Sequence, residues 1–251
     1  MSRARLILQA DDFGLCEEVN EGVAQAFRAG TISQASVMAP CPAFEGAAAL
    51  ARELGIPVGV HGTLNCEWDH LRWGPITEGA SLVEEDGTQH PTVEAAVNTL
   101  DATEAAAELL AQHARLAHVG PTPVYLDCHM GPSSRDGYAA ACRETGLPFL
   151  YPMLDDALRF DSIEMLSDKP ARKKKRWLKN HLKGLAPGST NLVVSHPAVD
   201  SPALRGITRE DNENYVWAVA NRTTDLALLL DPDVPKWLAK YDVELITAAD
   251  V

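Results

Sequence analysis

Positive charge is scarce in this chain, and paired cysteines and long apolar runs are missing. Lys and Arg number 22 against 35 Asp and Glu in 251 residues, a formal net charge of −13. Nucleic acid and anionic membranes select clustered positive charge, so neither is expected as the main partner. The five cysteines, Cys16, Cys41, Cys66, Cys128 and Cys142, are odd in number and form no C-x-x-C pair. That argues against a disulfide framework and a closed structural zinc site, and points to reduced thiols in a cytoplasmic protein. No stretch approaches the roughly 18 apolar residues of a membrane span. With only a short apolar run before Asp11, no secretory signal is expected. G-x-S-x-G, Walker A and G-x-G-x-x-G patterns are absent, which disfavours serine hydrolases, P-loop enzymes and dinucleotide enzymes.

Four short apolar runs stand out instead. Arg5–Ala10 leads into Asp11-Asp12, Val58–Val60 into His61, Val124–Cys128 into His129, and Asn191–Ser195 into His196. Runs of this length, rich in Val, Ile and Leu and bounded by Gly or Pro, are the signature of buried parallel strands. Function gathers at the carboxyl ends of such strands in barrel-like α/β folds. Further strands are expected at Ser36–Pro40, Phe149–Tyr151 and Val243–Thr247, about seven in all and mostly parallel. Helices are expected at Cys16–Arg28, Ala43–Leu54, Asp101–His118, Arg135–Thr145, Arg209–Leu230 and from Pro235 to Tyr241. Asp101 and Glu104 have capping-box spacing. A long loop or small hairpin is expected near 65–92, where Trp68, Trp73, Gly74, Pro75, Gly79 and Gly87 break the rhythm. No repeat or linker appears, so residues 1–251 are expected to form one domain.

One Asp with two His is a facial set for a divalent cation that leaves positions open for water and substrate. Such a cation acidifies a water and polarises a carbonyl. A second carboxylate can then accept a proton and a further imidazole can donate one. Asp11, Asp12, His61, His129 and His196 fill these roles with none left over. Four of them also have a plainer use. Asp11-Asp12 fits a helix N-terminus before Cys16, and a lone His61 or His129 is commonly a satisfied core histidine. Adjacent strand residues face opposite ways, so Asp11 and Asp12 share a pocket only if the strand ends there, with Phe13-Gly14 as the turn. Asp127 shares a strand face with His129. His70, His90, His113, His118 and His181 read as surface residues. Trp68, Trp73 and Trp217 suit either packing or a sugar face. The basic run Arg172–Arg176, within a helical segment near 168–184, reads as a solvated face or as a rim attracting an anionic substrate.

These residues, in this order, resemble the YdjC/ChbG-like carbohydrate deacetylases, which include the HpnK proteins of hopanoid biosynthesis. The similar segments are Ala10–Leu15 with Val19–Val23, Val58–Leu64, Glu108 and Gln112, Pro123–His129, Ser195–Pro197, and Arg222–Leu226 with Leu229–Pro232. The resemblance implies a distorted (β/α) barrel of the polysaccharide-deacetylase type. It implies metal-dependent removal of an N-acetyl group from an amino sugar or oligosaccharide, with Asp12, His61 and His129 as metal ligands and Asp11 as catalytic base. His196 is the expected general acid. Gly131 stands where many members carry a second His, and Ala198 where they carry Gly, so chitobiose-like specificity is not implied.

Imidazole ligands favour Zn2+, Mn2+ or Co2+, while the resemblance also admits Mg2+. The expected partner is a small N-acetylated sugar, and a homodimer is an assembly the pattern allows. Two rival functions use the same residues: phosphoester or other amide hydrolysis, and sugar binding without turnover.

Overall fold

The computed structural model describes residues 2–207 and 216–251, with backbone alone for Val216 and Trp217. Among the described residues, seven strands form one parallel sheet: β1 (Ala4–Phe13), β2 (Gln34–Val37), β3 (Val58–Gly62), β4 (Leu126–Cys128), β5 (Ser162–Met165), β6 (Thr190–Ser195) and β7 (Val243–Leu245). Their order is β4-β3-β2-β1-β6-β5. One edge of β1 pairs with β7 over Ala4–Leu6 and with β2 from Gln9 onward. β1 is therefore central, and nearly all of it is buried on both faces. Leu6, Ile7 and Leu8 supply the apolar surface that holds it there, each stabilising by about 1.5–3 kcal/mol on burial.

Nine helices are described: α1 (Glu17–Arg28), α2 (Phe44–Leu54), α3 (Val93–Thr99), α4 (Ala102–Val119), α5 (Arg135–Thr145), α6 (Ala171–Gly184), α7 (Pro202–Arg205), α8 (Val216–Leu229) and α9 (Asp233–Lys240). In α1, Val19, Val23 and Ala26 turn one face to the core. Asn20 is also buried there; it accepts the Gly14 N–H and donates to the Ala43 carbonyl, both at 2.9 Å, tying the end of β1 to α2. Asp101 caps α4 through the N–H groups of Thr103 and Glu104. The Glu104 carboxylate accepts from Ser81 instead of completing a capping box.

One expected strand, Phe149–Tyr151, is not formed. Phe149 makes only an isolated bridge to Leu126, because Pro152 offers no N–H and turns follow. The fifth strand is Ser162–Met165, which escapes sequence reading because it is short and half-buried on both faces. Helix α3 was not expected. Of the helix expected from Arg209, the first seven residues and the Trp217 side chain lie outside the described residues. Among the described residues, no helix is long and apolar enough to cross a membrane.

The segment from 65 to 92 is long but well anchored. Glu108 of α4 accepts the N–H groups of Ile76 and Thr77 and the Thr77 hydroxyl, at 2.8–3.0 Å. Gln112, one turn on, donates to the Thr63 carbonyl at 2.7 Å. His90 is buried here rather than on the surface, between the Glu84 carboxylate and the Ser81 carbonyl. His113 and His181 are half-buried.

Candidate metal centre

All five chemistry-bearing residues lie at the carboxyl ends of strands. Asp11 and Asp12 are near the end of β1, His61 is in β3, and His129 and His196 follow β4 and β6 directly. The strand does not stop at Asp12, as the sequence reading required. It continues to Phe13 with a break in register between Ala10 and Phe13, and Asp12 itself takes a left-handed φ of 64°. This bulge turns two adjacent carboxylates toward one pocket. Gly14, at φ 105°, completes the bend. The helix that follows starts after Cys16 and receives no side-chain cap, so neither Asp serves as its N-cap.

Asp12, His61 and His129 converge. Asp12 Oδ1 is 3.3 Å from His61 Nε2 and 3.3 Å from His129 Nδ1, and the two ring nitrogens are 3.3 Å apart. Asp12 Oδ1 is buried and has no hydrogen-bond partner among the described residues. Its sister oxygen Oδ2 accepts from the Arg222 guanidinium at 2.5 Å. A buried carboxylate oxygen left unpaired is costly, and a cation between the three atoms would satisfy it.

The outer side of each ring is also taken. Asp127 Oδ1 is 2.7 Å from His61 Nδ1, and Glu67 Oε2 is 2.8 Å from His129 Nε2. Metal-binding imidazoles commonly carry a carboxylate on the nitrogen that faces away from the ion. Asp127 is in turn held by the Ser36 hydroxyl at 2.6 Å and by Gln9 Nε2 at 2.9 Å. Gln9 also donates to Asp11 Oδ1 at 2.6 Å. The donor set therefore fits a divalent cation.

Burial and charge push these groups apart in acidity. Burial raises Asp11 to about 7, helped by Asp127 and Asp12 and opposed by His61. Asp12 is buried too, but Arg222 and the two imidazoles hold it well below the usual carboxylate range. In His129, burial disfavours the proton, yet Glu67 and Asp12 outweigh it and carry the ring up to about 9. His61 moves up as well, with Asp127 and Asp11 overcoming its burial. His196 moves down because of burial.

A cavity of about 700 Å³ opens over the cluster, and Asp11, Asp12, His61, His129, His196 and Arg222 line it. His196 Nε2 is 3.9 Å from Asp11 Oδ2, so the two face one another without a hydrogen bond. Part of the cavity wall is apolar, formed by Trp68, Met130, Tyr151, Met153 and Met165. Trp73 packs edge-on against His129 with ring centroids 6.3 Å apart and donates to Gln89. None of the residues 172–176 lines the cavity. Glu67 had no signal in the sequence beyond its place in a long loop. Arg222 stood within a similar segment, but nothing local connected it to Asp12.

The chain belongs to the YdjC-like protein family, whose pattern matches residues 5–240. It is 30% identical to a carbohydrate deacetylase of Geobacillus stearothermophilus, over 96% of this chain and 95% of that protein. It is 27% identical to carbohydrate deacetylase 2 of Listeria innocua, over 98% of both. Among solved structures, a protein of Enterococcus faecalis V583 described as a candidate for cellobiose-phosphate cleavage superposes with a TM-score of 0.80 at 20% identity, covering 99% of each chain. The peptidoglycan deacetylase PdaC of Bacillus subtilis superposes with a TM-score of 0.51 at 11% identity, covering 99% of this chain and 89% of that one. The fold is thus a distorted (β/α) barrel of the polysaccharide-deacetylase type.

Proposed function

We propose that this protein is a metal-dependent carbohydrate deacetylase, hydrolysing the N-acetyl group of an amino sugar or oligosaccharide. The observation that carries the reading is the unpaired Asp12 Oδ1 facing two imidazoles whose outer nitrogens are each held by a carboxylate. Full-length similarity to two carbohydrate deacetylases supports it. Asp12, His61 and His129 would hold the ion, and the donor softness favours zinc, manganese or cobalt over magnesium. When bound, that ion supplies Lewis acidity toward a water and the acetyl carbonyl.

The chain's own groups handle the protons. Asp11 is the base: buried beside the cluster, with Oδ1 fixed by Gln9, it leaves Oδ2 toward the cavity to accept a proton from the attacking water. His196 stands across from it and, in its protonated form, donates to the departing amine as the C–N bond breaks; burial lowers its pKa and so makes that imidazolium a readier donor. Water adds to the acetyl carbon, acetate leaves, and the sugar keeps a free amine. Arg222 fixes Asp12 so that Oδ1 alone faces the two rings.

The test is acetate release from N-acetylglucosamine oligomers. A chelator abolishes it and added divalent metal restores it. Asp12→Ala and His129→Ala each remove both activity and bound metal. Turnover that survives either substitution overturns the reading.

A further inference from the structure

The basic run contains one residue that is not on the surface. Lys174 is 1% exposed, whereas Arg172, Lys173, Lys175 and Arg176 are open to solvent. A buried ammonium needs acceptors for its hydrogens. Lys174 Nζ finds them along α8: Asp225 Oδ1 at 2.6 Å, Thr224 Oγ1 at 3.0 Å and the Asn221 carbonyl at 3.1 Å. Asp225 is fully buried, and its second oxygen leaves the helix pair. Oδ2 accepts the backbone N–H of His196 at 3.0 Å.

That contact matters because little else holds His196. Among the described residues its Nδ1 is buried without a hydrogen-bond partner, and its Nε2 is too far from Asp11 for one. The next residue, Pro197, has no N–H to anchor the turn. The backbone of the loop is instead tied to helices on either side, with Ala198 N–H donating to the Arg222 carbonyl and Val199 N–H to Glu18. A charged acceptor makes the stronger hydrogen bond, and Lys174 fixes the direction in which that acceptor points.

We propose that Lys174 and Asp225 are positioning residues that hold His196 in line with the scissile amide, a role that rests on His196 as proton donor. The basic helix then reaches the site from behind, through an ion pair.

Removing one partner would strand a buried charge and endanger folding, so the experiment changes both. Lys174→Met with Asp225→Leu removes charge and acceptor. Lys174→Met with Asp225→Asn removes the charges but keeps an oxygen for the His196 N–H. Each pair is made in the wild type and in His196→Gln, with metal content and melting temperature measured throughout. In the wild-type background the Met/Leu pair lowers kcat roughly tenfold or more, a share of the usual acid–base contribution, and leaves KM unchanged. The Met/Asn pair recovers most of that loss. In His196→Gln neither pair changes kcat further. Amide hydrogen exchange at His196 is faster in the Met/Leu pair than in the Met/Asn pair. An equal loss in both backgrounds, or no loss in either, overturns the positioning role alone. Wild-type kcat in His196→Gln overturns the proton-donor assignment and the positioning role together.

Discussion

Asp127 Oδ1 lies 2.7 Å from His61 Nδ1, while Nε2 of the same ring stands 3.3 Å from Asp12. One imidazole thus separates a carboxylate that orients it from a carboxylate that would share a bound cation with it. Glu67 does the same for His129 from the opposite flank.

Asp127→Asn and Glu67→Gln test that orientation directly. Each keeps the size of the side chain and weakens the acceptor, so metal affinity falls by about 10–100-fold. Calorimetric titration of the metal-free protein measures this. Affinities equal to wild type would remove the outer carboxylates from the account.

Metal uptake is expected to depend on pH. In the metal-free protein His61 and His129 bind protons more tightly than free imidazole, His129 with a pKa of about 9. A cation must displace those protons, so affinity rises with pH through neutrality. Titrations at pH 7 in buffers of different ionisation enthalpy are expected to show net proton release. A binding heat independent of the buffer contradicts it.

The same shift has a stability consequence of definite sign. A ring whose pKa is higher folded than unfolded stabilises the fold fully below the unfolded value near 6.5, and that contribution is lost as pH climbs through about 9. The melting temperature of the metal-free protein is therefore expected to fall across this window, and His129→Gln to flatten the fall. A flat profile in the wild type disproves the linkage.

Gly59 sets how closely β3 approaches the ring of Tyr125. A Cβ there would sit 2.2 Å from Tyr125 Cε2, and the ring is fully buried. Gly59→Ala is expected to cost about 1–3 kcal/mol through overpacking. Thermal unfolding reads the cost, and an unchanged melting temperature refutes the close contact.

Much of the site is legible before folding. The Val-, Ile- and Leu-rich runs mark buried strands, and each ends in a ligand-type residue because strand ends are where a parallel sheet exposes its chemistry. The failures are equally physical. β5 carries no apolar run, so nothing in Ser162–Met165 signals a strand. Lys174 looks like its charged neighbours because burial is a property of what packs on a helix, and α8 lies far along the chain. His90 looks like a loop histidine until Glu84 and Ser81 close on it.

The order of the segments by itself determined the parallel strands, the family likeness and the identity of the groups that meet. The three-dimensional arrangement decided how they meet. A left-handed Asp12 in a bulge lets neighbouring carboxylates share one pocket, which strict strand alternation forbids. Glu67, Asp127, Arg222 and Asp225 took their places only through contacts between segments distant in the chain, and local pattern carries no record of such contacts.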